Sequence, residues 1–418
     1  MEAIEILGGQ RLSGAVAISG AKNAALPALC AAILTPASIL LHRLPAVRDT
    51  ETMTEVLRFL GAAVERKGDG SREICLRSLT THRTPYRLVK TMRASVLTLG
   101  PLLARFGEAQ VSLPGGCAIG SRPIDLHLEG LRQMGAEITL EHGFVHARCA
   151  RLRGAEITFD LVTVTGTENL MMAATLAQGT TVLINAAREP EVVDLAELLI
   201  RMGARINGHG SDVIRIEGAT GLGAAEHRII PDRIEAGTYL IAGLITGGRV
   251  RVEPVRPDHL RALIDKLREA GVEPQTGAEW IEASAPDGLR SADLRTAPYP
   301  GFPTDLQAQF MALMTQARGT SVITETIFEN RFMHAAELKR MGAKISIEGR
   351  RAVVQGPTPL SGAKLMATDL RASASLVLAG LVAEGETIVD RVYHLDRGYA
   401  DMVGKLESLG ARIRRTRV

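Results

Sequence analysis

One phrase recurs six times along the chain, every 68 to 74 residues. It reads LRFLGAAV (57–64), LRQMGAEI (131–138), LIRMGARI (199–206), LREAGVEP (267–274), LKRMGAKI (338–345) and LESLGARI (406–413). Each copy has the form of the last turn of an amphipathic helix, a glycine in the left-handed conformation that ends it, and a following strand. The glycines are Gly61, Gly135, Gly203, Gly271, Gly342 and Gly410. A period this long exceeds the roughly 20 to 50 residues of solenoid repeats. It fits a βαβ-type module used six times.

A second phrase precedes each glycine by 35 to 42 residues: a charged residue, then a run of small and apolar residues. The runs start at Lys22, Arg93, Glu168, Glu235, Asp305 and Arg371. They are apolar on nearly every face, which predicts buried helices with charged first residues. A third phrase, L-x-G-A, occurs at 12–15, 152–155 and 360–363, and in the looser form LGAA at 222–225. Two helices and several strands per unit, in a chain of 418 residues, predict two domains of three modules each.

Composition removes several function classes. Lys and Arg number 49 against 46 Asp and Glu, and aromatic residues make up 3%, so neither the basic face nor the stacking rings of a nucleic-acid binder are present. The apolar stretch at 23–41 is interrupted by Pro27 and Pro36 and is not a membrane span. The first twenty residues lack the pattern of a secretory leader, so a cytoplasmic protein is expected. Cys30, Cys75, Cys117 and Cys149 are widely spaced and form no C-x-x-C pair, which argues against zinc. Neither a metal nor a cofactor is expected.

Buried charges need a partner or a task. Lys22, Arg93 and Arg371 are cations at helix N-termini, the wrong sign for the dipole there. Either they pair with carboxylates such as Asp369 or Glu235, or they face an anionic ligand held between the domains. Arg122, Arg331 and Arg397 bring the candidate cations to six. Together they suit a ligand carrying a carboxylate and a phosphate, since arginine meets both with a two-pronged donor pair. Asp305, after Pro303 at a helix start, reads either as a cap or as an acid–base group. Cys117 lies in LPGGCAIGSRP (113–123), a pliable turn with Arg122 close behind, where a lowered pKa and a reactive thiolate are expected.

The motifs SGAKNAALP, MRAS, LPGGCAIGSRPIDLH, NAAREPEVVD, FPTDLQAQ, ITETIFENRFMHAAEL, MATDLRASASLVLAG and YHLDRGY stand in order along the chain. With them the sequence resembles the enolpyruvyl transferases, in the branch that acts on a nucleotide sugar, from about residue 4 to residue 414. The resemblance implies a two-domain inside-out α/β barrel built from six βαβαββ units, with one domain at 22–229 and the other formed by 1–21 with 230–418. It also implies transfer of the enolpyruvyl group of phosphoenolpyruvate to the 3′-hydroxyl of UDP-N-acetylglucosamine, with these small molecules as the partners.

By motif position the resemblance assigns Lys22, Arg122 and Arg397 to the donor phosphate, and Arg331 and Arg371, with Asp369 nearby, to its carboxylate. Asn23 meets the reacting centre, Asp305 is the base, and Cys117 is the proton donor and the target of the epoxide antibiotic fosfomycin. Catalysis is thus placed on Cys117, Asp305, Lys22 and Arg397. The nucleotide sugar is expected along Arg93, Arg122, Pro123, Ile124, Asp125, Leu126, Leu161, Val162, Thr163, Val164, Asp305 and Ile327. Leu161 departs from the pattern, because some relatives carry lysine there. Three rivals remain: the shikimate-pathway transferase, an RNA 3′-phosphate cyclase, and a silent nucleotide-sugar-binding paralogue. The cysteine loop and the RPIDLH after it favour the sugar-nucleotide branch.

Overall fold

The computed structural model describes residues 2–89, 92–112 and 124–417, and its third repeat displays the module most simply. Strand Glu156–Thr158 leads into the buried helix Val164–Ala174, and strand Thr180–Ile184 returns parallel to the first. The amphipathic helix Pro190–Arg201 follows, and a hairpin of Arg205–Asn207 and Val213–Glu217 completes a four-stranded sheet. The crossover helix makes the parallel pair possible; the hairpin supplies the antiparallel ones. Alternation sets the faces: Ile214 and Ile216 are buried while Arg215 between them is exposed.

This order recurs in four more four-stranded sheets. It recurs also in a three-stranded sheet whose edge strand is reduced to a bridge between Arg83 and Gln110. Three sheets take a strand from distant sequence. Glu2–Leu7 joins Glu386–Asp390 and Arg412–Arg417, Ser13–Ala17 lies beside Arg249–Glu253, and Ala225–Arg228 lies beside Ile39–His42. The L-x-G-A phrases mark the entry to the parallel edge strands. The six repeat glycines all have φ between +87° and +112°, the left-handed turn that lets each amphipathic helix stop and a strand begin.

The chain divides into two units, one containing the described residues of 20–230 and the other residues 2–19 with 231–417. In the first, helices Lys22–Ala31, Leu99–Phe106 and Val164–Ala174 form the core, with the apolar faces of three sheets around them. In the second the same place is taken by Arg233–Ile245, Gln307–Met314 and Leu370–Gly380. Small residues permit this close helix packing: a Cβ on Gly100 would lie 2.5 Å from the Asn169 backbone oxygen. No helix among the described residues is long and apolar enough to cross a membrane.

Not every buried helix begins on its charged residue. The third starts at Val164, because Thr163 accepts the Gly166 N–H at 3.2 Å and caps it, which leaves Glu168 inside the helix. Asp232 and Asp369 cap their helices, so Glu235 and Arg371 fall in the first turn.

Candidate active site

Asp305 sits in the 3₁₀ turn Thr304–Leu306 that leads into helix Gln307–Met314, and it caps nothing with its side chain. Its carboxylate is bracketed by two arginines instead. Arg331 Nη2 donates to Oδ1 at 2.8 Å and Arg371 Nη2 donates to Oδ2 at 2.9 Å. Arg331 Nη1 also donates to Thr304 Oγ1 at 3.1 Å, which ties the turn to the same fork. Both guanidinium groups are buried, at 4% and 3% exposure. Burial works most strongly against the Arg371 charge, but Asp305, Tyr399 and Asp232 together outweigh it and hold the guanidinium above its ordinary pKa. Among the described residues Arg371 Nη1 is buried and meets no acceptor, a donor pair in place for a ligand oxygen.

Asp369 caps helix Leu370–Gly380, accepting the Arg371 and Ala372 N–H groups at 2.7 and 3.0 Å. Its carboxylate therefore fixes the backbone of Arg371, while Asp305 takes the guanidinium. Fully buried His334 feels both Asp369 and Arg331; burial first, then Arg331 against the pull of Asp369, lowers its pKa to about 4, so it is neutral at pH 7. Arg397 ends the 3₁₀ segment Val392–Arg397, two residues before Tyr399, whose ring lies 5.4 Å from the Arg371 guanidinium. Asp305, Arg331, Arg371, Asp369 and Arg397 thus belong to one neighbourhood.

Two residues that the sequence reading missed support it. Buried Glu325 accepts from Thr304 Oγ1 at 2.8 Å, Thr296 Oγ1 at 3.0 Å, and the backbone N–H groups of Ile327 and Phe328 at 2.8 and 3.2 Å. One carboxylate therefore joins the Asp305 turn to the turn carrying Ile327. Buried Gln309 donates to the Asp305 backbone oxygen at 3.0 Å. Both lie inside quoted motifs, but nothing in the spacing marks them apart from their neighbours.

In the other unit Lys22 opens helix Lys22–Ala31, with Asn23 next, and its Nζ lies 3.4 Å from Asp49 Oδ2. Buried Asp49 stands in the first turn of helix Arg48–Leu60, a partner the sequence reading did not single out. Arg93 opens the turn Arg93–Thr98. Ile124, Asp125 and Leu126 begin helix Asp125–Gln133, and Thr163 and Val164 begin Val164–Ala174. A buried knot joins these three starts. Asn169 Nδ2 donates to Val96 O at 3.1 Å and to His127 Nδ1 at 3.0 Å, and His127 Nε2 then donates to Thr165 Oγ1 at 3.3 Å. Leu161 and Val162 are exposed apolar side chains, at 72% and 37%, just before the Thr163 cap. Cys117, Arg122 and Pro123 lie outside the described residues.

Buried Glu235 has structural partners. Lys405 Nζ donates to Glu235 Oε1 at 2.6 Å and to Ser19 Oγ at 2.9 Å, while Ser19 N–H donates to Glu235 Oε2 at 2.8 Å. Glu168 is buried near Glu191 and Glu189; burial first, and then these two charges, push its pKa well above the ordinary carboxylate value. Among the described residues no His, Cys, Asp and Glu cluster could hold a metal ion.

A carboxylate held by two buried arginines can take a proton from a hydroxyl while the same arginines bind an anion. The chain matches the EPSP synthase (3-phosphoshikimate 1-carboxyvinyltransferase) family over residues 6–406 and belongs to it. A UDP-N-acetylglucosamine 1-carboxyvinyltransferase of Koribacter versatilis is 58% identical, over 99% of this chain and 96% of its own length. The crystal structure of the enolpyruvyl transferase NikO from Streptomyces tendae is 29% identical, covers 99% of both chains and superposes with a TM-score of 0.91. EPSP synthase from Acinetobacter baumannii, 18% identical over 100% of both chains with a TM-score of 0.78, shares the fold. That fold is the two-domain inside-out α/β barrel of βαβαββ repeats expected from the sequence.

Proposed function

We propose that this chain transfers the enolpyruvyl group of phosphoenolpyruvate to the 3′-hydroxyl of UDP-N-acetylglucosamine and releases phosphate. The observation that carries the reading is the Asp305 carboxylate held in two buried arginine forks at the head of a buried helix. The likeness to the Koribacter versatilis enzyme supports this acceptor over shikimate 3-phosphate. The step belongs to peptidoglycan synthesis, on which cell shape and division depend, and is placed in the cytoplasm.

The donor carries a phosphate and a carboxylate. Lys22, Arg122 and Arg397 take the phosphate, while Arg331 and Arg371 take the carboxylate, with Asp369 fixing the backbone of Arg371. Cys117 gives a proton to carbon 3, which makes carbon 2 electrophilic; Asn23 contacts that centre. Asp305 removes the proton of the sugar hydroxyl as its oxygen bonds to carbon 2, giving a tetrahedral ketal. Loss of a carbon 3 proton and departure of phosphate restore the double bond. No resident cofactor enters the balance. Arg93, Arg122 to Leu126, Leu161 to Val164, Asp305 and Ile327 receive the nucleotide sugar. Exposed Leu161 offers it an apolar shelf in place of a lysine charge.

Purified protein given phosphoenolpyruvate with either UDP-N-acetylglucosamine or shikimate 3-phosphate tests the reading. Phosphate release with the nucleotide sugar alone is expected. Release with shikimate 3-phosphate alone would move the chain to the other branch, and release with neither would leave a binding role.

A further inference from the structure

Tyr399 stands at the crossing of two chains of contact that both end on Asp305. Its ring lies 5.4 Å from the Arg371 guanidinium, which donates to Asp305 Oδ2 at 2.9 Å. Its hydroxyl is the centre of a buried network reaching the same residue from behind. Thr238 Oγ1 donates to Ile234 O at 2.8 Å and has no second proton. With that proton on Ile234 O, Thr238 Oγ1 accepts from the Tyr399 phenol across 2.9 Å. The two protons of Gln309 Nε2 face three acceptors: the phenol oxygen at 3.1 Å, Thr238 Oγ1 at 3.2 Å and the Asp305 backbone oxygen at 3.0 Å. Gln309, Tyr399 and Thr238 thus close one buried ring of hydrogen bonds, anchored on the backbone oxygens of Ile234 and Asp305.

Burial makes the network rigid. Thr238 and Gln309 are fully buried and Tyr399 is 2% exposed. Burial, the largest influence, raises the phenol pKa, so it remains a donor across the working range. The helices Arg233–Ile245 and Gln307–Met314 meet at these side chains, with Tyr399 following the segment that carries Arg397. Aligned hydrogen bonds in so dry a setting are costly to break, and small displacements of a reacting group cost large factors in rate.

We infer that Tyr399 is a positioning residue for the transfer: its hydroxyl, through Gln309, sets the backbone of Asp305, and its ring seats the arginine that orients the Asp305 carboxylate. The inference rests on Asp305 as the base. Tyr399 touches neither substrate in this scheme and supplies no proton.

Steady-state kinetics of Tyr399→Phe with phosphoenolpyruvate and UDP-N-acetylglucosamine, beside the unaltered protein, test it. Removing the hydroxyl opens the ring and frees the Gln309 amide to shift from the Asp305 backbone toward Thr238 Oγ1, so kcat should fall about 10- to 100-fold while KM for each substrate stays within about twofold. The acid limb of the kcat profile should move, which a loss of overall stability would not cause. Gln309→Met should give the same split, and the two changes combined should cost little more than either alone. If Tyr399→Phe does not fold, Gln309→Met and Thr238→Val carry the test. A variant with normal kcat, or with additive losses, would overturn the inference and leave the proposed function standing. An unaltered protein inactive with both substrates would overturn the proposed function, and this inference with it.

Discussion

Arg371 Nη2 lies 2.9 Å from Asp305 Oδ2, with the guanidinium 3% exposed, so the proposed base is ion-paired before a substrate arrives. A carboxylate pinned by two guanidinium groups is a weak base. In the proposed scheme a donor carboxylate engaging Arg331 and Arg371 would draw them from Asp305 and raise its basicity where the hydroxyl must be deprotonated. Binding of the donor and readiness of the base are then two sides of one exchange of partners.

Asp305→Asn tests the base directly, because the amide keeps the shape and cannot take the proton. Turnover should fall by about 100-fold or more, with the far-ultraviolet circular dichroism unchanged. A variant retaining half its turnover would remove Asp305 from that role.

Cys117→Asp separates proton donation from nucleophilicity. A carboxylic acid can still protonate carbon 3, so turnover should persist, while the loss of the thiol should abolish covalent labelling by fosfomycin, read by intact mass. Labelling of the variant would show that another nucleophile had been modified.

Glu325→Gln probes the link between the Asp305 turn and the turn at Ile327. The amide places a donor where four donors converge on one carboxylate, so at least one bond is lost. The expected loss is about 1–3 kcal/mol in urea unfolding, with a lower kcat. An unchanged midpoint would mean that the bonds are replaced by water.

The repeat made the fold legible because helix ends and strand entries are written locally. Glycine marks each left-handed stop, and apolar runs mark the buried helices, so six modules could be counted from spacing alone. Charged residues at helix starts announced a polar site, yet which carboxylate meets which cation depends on segments far apart in sequence. Arg371 meets Asp305, 66 residues away, and its near neighbour Asp369 serves as a cap. Supporting residues such as Glu325, Gln309 and Asp49 were invisible for the same reason: a buried acceptor is recognisable only once its donors surround it. Glu168 misled because Thr163, five residues earlier, captured the helix start.

Gly203→Ala isolates the backbone requirement of the repeat. A Cβ there meets nothing within 4 Å, but φ is +103°, so the cost is conformational. A loss of about 1–2 kcal/mol by denaturant titration is expected, with kcat unchanged. Equal stability would mean that the helix end relaxes to another turn.

Glu168→Gln should alter how stability depends on pH. Burial, then Glu191 and Glu189, raises the folded-state pKa of Glu168 well above its ordinary value of 4.5, so the folded chain keeps a proton that the unfolded chain releases as pH rises past that value. More protons bound in the folded state means that this carboxyl contributes its full stability below about pH 4.5 and loses it progressively as pH climbs toward the folded-state pKa. Glutamine has the same shape, stays neutral and carries no such penalty. The melting temperature of the variant relative to the unaltered protein should therefore rise from pH 5 to pH 8, and a flat or falling difference would mean that Glu168 is ionised in the folded protein.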